Sequence, residues 1–98
     1  MGLIQDITPT EVYVGAKDVT TAGIAEVLGS SQPCSRIKIC SKEGNTGNVH
    51  AGNENVALTN GMKITAGVDS GWFPIDNVNK IYVDVTTSAD GVTYIALN

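Results

Sequence analysis

Short runs in which apolar and polar residues alternate, each bounded by turn sequences, fill residues 19–97. A period of two is typical of β-strands, whereas no window shows a convincing 3.6-residue apolar period of the kind that an amphipathic helix has. Eleven Gly and eight Asn are distributed through the second half of the chain and the connections, where turns use them. The pattern therefore predicts an all-β fold.

Nine segments qualify as strands. They are residues 11–14, 23–28, 35–40, 48–51, 55–58, 62–66, 71–75, 80–85 and 92–97. A chain of 98 residues supports one modest core, because a body of this size buries roughly 60% or a little more of its unfolded surface. We therefore predict a single small antiparallel β-sandwich over residues 11–98, jelly-roll-like, with an extended N-terminal arm over residues 1–10, where Pro9 stops regular structure.

One hairpin can be argued to register. A three-residue loop over 59–61 pairs Leu58 with Met62 and Val56 with Ile64, and it places the glycine of the loop in the left-handed region that suits it. This arrangement puts the apolar residues of both strands on one face.

The last two strands can also be paired from their pattern. Pairing Val83 with Ala96 and Val85 with Tyr94 forms one apolar face. The opposite face then carries Tyr82, Ile95 and Leu97. Apolar residues on both faces imply that this sheet is a central layer or that its outer face meets another subunit.

The charge balance argues against direct binding of nucleic acid. The net charge is −4, and the six cations are scattered except for a small cluster of Arg36, Lys38 and Lys42, which we interpret as a solvated strand face. Only 16% of the residues are charged, against about 25% in typical soluble domains. Such a surface suits a protein that is pressed against other proteins. The first residues hold neither a cationic segment nor an apolar run long enough for a signal peptide or a membrane span, so we expect no membrane partner.

Nothing in the sequence indicates a catalytic or metal site. The chain has one histidine, His50, inside an alternating run, where a structural or interface role is expected. Cys34 and Cys40 lie roughly 20 Å apart along one predicted strand and cannot form a disulfide bond with each other, so we expect free thiols. A zinc site would lack ligands. We predict no enzyme, no cofactor and no metal, with a calcium site built from Asp69, Asp76 or Asp90 as a minor alternative.

Two other features have a structural and a functional interpretation. The glycine-rich stretch 44–47 lacks the lysine and the following helix of a phosphate-binding loop, so we interpret it as a turn. If Ile75 faces the core, Phe73 points inward and Trp72 outward, although packing of Trp72 into the end of the sandwich fits equally well. An outward tryptophan marks a protein interface or a sugar-stacking site.

Five motifs follow one another along the chain. They are Val19-Thr-Thr-Ala-Gly23, Cys34-Ser-Arg-Ile-Lys-Ile39, Gly44-Asn-Thr-Gly-Asn-Val49 with Gly52, Ile75-Asp-Asn-Val-Asn-Lys-Ile-Tyr-Val-Asp84 and Asp90-Gly-Val-Thr-Tyr94. Together they resemble a group of small proteins encoded among the structural genes of tailed bacteriophages. The chain departs from the pattern at His50-Ala51, where a larger apolar or aromatic pair is expected, and at Trp72, where a small polar residue is expected.

The resemblance implies a virion protein similar to capsid decoration, or cement, proteins. Its partners would be the major capsid protein and itself, as a homotrimer on the outside of a capsid assembled in the bacterial host cytoplasm. The alternatives are a receptor- or glycan-binding module on a tail fibre or capsid surface, and a head-tail completion protein. The candidate interface residues are Leu3, Ile4, Ile7, Arg36, Lys38, Trp72 and Tyr82.

Overall fold

The computed structural model describes residues 11–98, which form eight strands and one short 3-10 helix. The strands are β1 (Val12–Asp18), β2 (Glu26–Val27), β3 (Arg36–Ser41), β4 (Val49–Gly52), β5 (Met62–Ile64), β6 (Phe73–Pro74), β7 (Tyr82–Val85) and β8 (Gly91–Leu97). The 3-10 helix, Val78–Lys80, is capped by the side chain of Asn77, which accepts a hydrogen bond from the N–H of Asn79.

The strands form two antiparallel sheets of four, which confirms the predicted β-sandwich. The order in the first sheet is β1-β8-β3-β6, and the order in the second sheet is β2-β7-β4-β5. Strands 1 and 8, 2 and 7, 3 and 6, and 4 and 5 are therefore all neighbours, as in one long hairpin wrapped over into two layers. A jelly-roll would contain these pairs, and that finer assignment stays a prediction.

The core lies between the sheets and is aliphatic. Alternation along the strands sends every second side chain inward. The first sheet contributes Ile37, Ile39, Val92 and Ala96, and the second contributes Val49, Ala51, Ile64, Val83 and Val85. Val19, Leu28, Cys34, Val78 and Ile81 close the ends from the connections.

The predicted strand over residues 55–58 is wrong, and so is the hairpin built on it. β5 pairs with β4, with Val49 opposite Ile64, and residues 53–61 form a loop. Asparagine side chains compete here with a strand ladder: Asn53 Oδ1 accepts from the N–H of Asn55 at 2.9 Å, and Asn60 Oδ1 accepts from Ala57 at 2.8 Å. The glycine of the predicted loop does adopt a left-handed φ, of +78°.

The predicted pairing of Val83 and Val85 with Ala96 and Tyr94 is also wrong. β7 and β8 belong to different sheets, because the connection between them crosses from one layer to the other. Within this crossing, the N–H of Ala89 donates a hydrogen bond to the carbonyl oxygen of Val19, with 2.8 Å between nitrogen and oxygen. Val83, Val85 and Ala96 belong to one hydrophobic core, against which Tyr94 packs.

Candidate functional site

Three of the predicted interface residues lie together at one end of the first sheet. Trp72 immediately precedes β6, which pairs with β3 through Arg36 opposite Pro74. Trp72 is 44% exposed, whereas Phe73 and Ile75 pack against the core. The guanidinium carbon of Arg36 is 5.6 Å from the ring centroid, and Lys38 Nζ is 5.3 Å from it. Each contact of this kind is worth about 0.5–1 kcal/mol at an exposed site.

This cluster belongs to a larger surface, the outer face of the first sheet, which we call the open face. The register of β1, β8 and β3 places opposite one another the residues that point away from the core. These residues are Val12, Val14, Ala16, Asp18, Thr93, Ile95, Leu97, Arg36, Lys38 and Cys40. Val14 is 75% exposed and Val12 is 62% exposed, so β1 presents apolar side chains directly to solvent.

The centre of the open face is a shallow apolar groove. Its volume is about 480 Å³, and the open-face residues that line it are Val14, Ala16, Lys38, Cys40, Thr93 and Ile95. The one acidic residue among the outward strand positions of this face, Asp18, is held by Lys42 at 2.7 Å. The face is therefore apolar at its centre and carries two cations beside Trp72.

The outer face of the second sheet, the covered face, has the opposite character. His50 and Asp84 stand opposite each other in the register of β4 and β7 and point away from the core, yet they are only 8% and 0% exposed. The connections of the chain supply their partners. His50 Nδ1 lies 3.2 Å from the carbonyl oxygen of Asn60, and Asp84 Oδ1 accepts a hydrogen bond from the N–H of Gly23 at 2.9 Å.

Asp84 retains one oxygen without a partner. Oδ1 accepts from the N–H of Gly23 and from that of Val85, at 2.9 and 2.8 Å, whereas Oδ2 is buried and has no hydrogen-bond partner among the described residues. Burying a carboxylate oxygen in this way is unfavourable. The other oxygen, Oδ1, is a strong acceptor, and its hydrogen bond with Gly23 holds the turn that contains this glycine against the second sheet.

The remaining candidate residues do not join the Trp72 cluster. Tyr82 lies on β7. It alternates along the strand with core residues and therefore points to the outer side of the second sheet. Leu3, Ile4, Ile7 and the predicted arm 1–10 lie outside the described residues.

The two cysteines are free, in different surroundings. Cys34 is buried, and its Sγ lies 3.3 Å from the carbonyl oxygen of Ile75. Burial raises the pKa of the Cys34 thiol, and the nearby carboxylate of Asp76 raises it further, which keeps the sulfur protonated and unreactive at neutral pH. Cys40 is half-buried and borders the apolar groove.

The polar groups considered for chemistry are engaged by backbone N–H groups or, for Asp76, by the side chain of Lys80. The N–H groups of Thr46 and Gly47, in the glycine-rich stretch, donate to the carboxylate of Asp90 at 3.1 and 2.8 Å. Asp69 accepts from the N–H of Gly71 at 2.8 Å. A hydrogen bond from Lys80 holds the pKa of Asp76 below its usual value. Within residues 11–98, no three His, Cys, Asp or Glu side chains are grouped closely enough to hold a metal ion.

Among the described residues, no helix has the length and apolar character needed to cross a membrane. Comparison of the chain with protein-family models, curated proteins and solved structures finds no match. The fold and the open face therefore define a class only: a small all-β sandwich with one exposed, weakly charged sheet face.

Sequence reasoning missed the residues that make the open face broad. The alternation of Val12 and Val14 with Tyr13 and Gly15 predicts a strand but gives no sign of which side faces the core. Gly15 supplies the missing signal: a Cβ there would lie 2.5 Å from the ring of Tyr94. The aromatic ring thus needs the space beside Gly15, which fixes that side of β1 as the inner one.

Proposed function

We propose that this protein is a capsid decoration, or cement, protein of a tailed bacteriophage, which binds the outside of the shell and bridges subunits of the major capsid protein. The observation that carries the proposal is the open face, where Val12, Val14 and Trp72 are exposed on one side of the first sheet. The phage setting, a virion assembled in a bacterial cytoplasm, rests on the resemblance of the sequence motifs.

The composition of the open face suits contact with another protein. The cores of interfaces are depleted in charge and enriched in aromatic residues and Arg, and the anchors that contribute most binding energy are often Trp and Arg. The open face combines an apolar groove with Trp72 and Arg36. Its cations also stand out on a chain whose net charge is −4, so an acidic rim on the partner would complement them.

The proposal has a mechanical basis. Packaged DNA pushes capsid subunits apart, and a small body that contacts two of them adds surface that must be exposed to water before they separate. A two-layer sandwich resists deformation because its core is close-packed. The ladders of β1, β8 and β3 run directly beneath the open face, so a load applied there is carried by backbone hydrogen bonds.

Contact with protein is favoured over stacking on a sugar. Stacking would require the π surface of Trp72, and Arg36 and Lys38 already lie over that ring at 5.6 and 5.3 Å. A sugar that stacks on the ring face beneath these cations would have to displace them, whereas a protein partner can leave the cation–π contacts in place.

The proposal is tested with capsids prepared without this protein. Added protein should bind them and raise the temperature at which they release DNA. Trp72→Ala should weaken binding at least about tenfold, the loss expected of an interface anchor. Lys38→Ala and Lys63→Ala form a matched pair of cation deletions on opposite sheets, and only the first should weaken binding.

Three results would count against the proposal. Capsids that are equally robust with and without the protein would reject the cement function. A copy number of about a dozen or fewer per virion, rather than hundreds, would indicate a head-tail completion protein by the symmetry of closed assemblies. Binding to a glycan array, lost in Trp72→Ala, without binding to capsids would indicate a glycan-binding module.

A further inference from the structure

The sheet edges of the sandwich differ in a way that points to self-association. The edge strands β2, β5 and β6 have two, three and two residues, and β6 also contains Pro74, which cannot donate to a ladder. Short strands and proline are the usual protection against pairing with another chain. The fourth edge strand, β1, has seven residues, and within residues 11–98 its only neighbour is β8.

The free backbone groups of this edge can be assigned. Glu11 and Asn98 exchange both of their hydrogen bonds, at 2.9 and 3.0 Å. In an antiparallel ladder such pairs alternate with residues whose N–H and C=O groups point to the other side. The residues that direct both groups to the free edge of β1 are therefore Val12, Val14, Ala16 and Asp18.

We propose that β1 is a dimerisation strand, which pairs in antiparallel orientation with β1 of a second copy of this chain. The two first sheets then join into one continuous sheet of eight strands. The two-fold axis passes between Val14 and Val14 of the second copy. Each of the two residues bonds to the other through its N–H and its C=O.

Charge and side-chain complementarity select this register. It places Val12 opposite Ala16 of the second copy on the open face, and Glu11 opposite Lys17 on the inner side. The Glu11–Lys17 ion pair occurs twice by symmetry, and Lys17, which already lies 2.9 Å from Glu26, would then have a carboxylate on each side. A shift of the axis to Gly15 instead places Asp18 opposite Val12 and leaves Glu11 without a cation.

The pairing does not depend on the proposed function, because its hydrogen bonds come from the backbone at the edge of β1 and its test needs no capsid. It joins two open faces side by side into one surface. It also differs from the trimer that the resemblance implies, since a strand paired with its own copy about a two-fold axis closes at two subunits. The mass in solution separates the two states.

The first experiment measures mass and amide exchange on the full chain. Sedimentation should show twice the chain mass of 10.2 kDa at high concentration and the single mass on dilution. Protection of the amides of Val12, Val14, Ala16 and Asp18 should rise with concentration. Protection of Tyr13 and Gly15, whose amides face β8, should be the same at every concentration.

Matched variants test the site and the register. Val14→Lys places two ammonium groups across the axis and should abolish the dimer, whereas Thr93→Lys adds the same charge to the same face on β8 and should leave it intact. Glu11→Lys should weaken the dimer about tenfold by turning two attractive pairs into repulsive ones. Glu43→Lys, an equal charge change away from β1, should not.

Three outcomes would overturn the inference. They are a single-chain mass at every concentration, a trimer, and a dimer that survives Val14→Lys while its circular dichroism matches that of the unaltered protein. A dimer weakened by Val14→Lys but not by Glu11→Lys would reject the register proposed here.

Discussion

The two outer faces of this sandwich have opposite polarity and opposite burial. On the open face, Val14 is 75% exposed. On the covered face, His50 and Asp84 lie beneath loops of the same chain: His50 Nδ1 contacts the carbonyl oxygen of Asn60, and Asp84 accepts a hydrogen bond from the N–H of Gly23. Apolar side chains are thus left in water on the first sheet, and the polar side chains of His50 and Asp84 are removed from water on the second.

The two faces differ because the loops of this chain cover the second sheet and leave the first sheet open. Residues 53–61 and the turn at Gly23 contact the second sheet, whereas no connection among the described residues covers the centre of the first sheet. A single exposed valine needs no explanation, but a contiguous apolar area framed by polar groups marks an interaction site. We infer that the covered face contributes to folding and the open face to binding.

The largest expected effect is on the cover of the second sheet. In Gly61→Ala, the new methyl group would lie 2.6 Å from Val56 Cγ2 and 2.7 Å from the carbonyl oxygen of Ala51, at a φ of +78°. Strain and overlap together should lower the free energy of unfolding by about 2–4 kcal/mol. Urea unfolding measures this, with Gly44→Ala as the control, because nothing lies within 4 Å of a Cβ at that position. Equal losses in the two variants would mean that the loop is not a fixed cover.

A smaller loss is expected when the acceptor beneath the turn is removed. Asp84→Ala leaves the N–H groups of Gly23 and Val85 without their partner, which should cost about 1–3 kcal/mol. Asp84→Asn keeps an oxygen acceptor and removes a buried charge, so it should cost less than half as much. Urea midpoints of the two variants give the comparison. If Asn is as damaging as Ala, the charge of Asp84 rather than its hydrogen bonds holds the turn.

The seam between the two sheets should show a modest dependence on pH. Lys17 of β1 and the N–H of Thr20 both bond to Glu26 of β2, and these contacts, that of Lys17 first, hold the pKa of Glu26 below its usual value of 4.5. A lowered carboxyl pKa contributes stability that is present above the usual value and lost as the pH falls through the folded one. The urea midpoint should therefore decrease less between pH 6 and pH 3 in Glu26→Gln than in the unaltered protein. In the control variant Glu54→Gln, the midpoint should decrease as much as in the unaltered protein.

The smallest effect on stability is expected on the open face itself. Val14→Thr removes exposed apolar area, and a surface change of this kind usually alters stability by less than about 0.5 kcal/mol. Trp72→Ala also removes the contacts with Arg36 and Lys38, so it should cost no more than about 1–2 kcal/mol. Thermal unfolding of each variant checks this against the capsid-binding and mass measurements. A large loss of stability in either variant would place that residue in the fold rather than in an interface, and would remove the contrast between the faces.

Part of this architecture could be predicted from local sequence. The alternation in Cys34–Cys40 and in the last strand predicted an all-β sandwich. The period of two around Ile75 allowed an outward Trp72, but packing of Trp72 into the end of the sandwich fitted the sequence equally well. The contact of Trp72 with Arg36 and Lys38 could not be predicted, because it depends on β3 pairing with β6, more than thirty residues away in the chain. Local patterns carry no information about which distant strand becomes the neighbour.

The errors have a common cause. Asn55–Leu58 has the composition of a strand, but the side chains of Asn53 and Asn60 satisfy the local backbone first. Val83 and Val85 fit Ala96 and Tyr94 as pairs, yet the crossing at Ala89 separates the strands into two layers. In both regions, a short connection decided the topology after the apolar pattern had allowed several solutions.

The nested pairing of the strands, 4 with 5, 3 with 6, 2 with 7 and 1 with 8, sets an economical order of folding. β4 and β5 are the only consecutive strands that pair among those described, so they close the shortest loop. Each pair formed brings the next two strands near one another and shortens the loop that remains to be closed. Substitutions in β4 or β5 should thus slow folding, and those in β1 should mainly speed unfolding, in stopped-flow measurements. In this order β1, the strand proposed to pair with a second copy, is the last to dock. Dimers would therefore form only from chains whose domain has already folded.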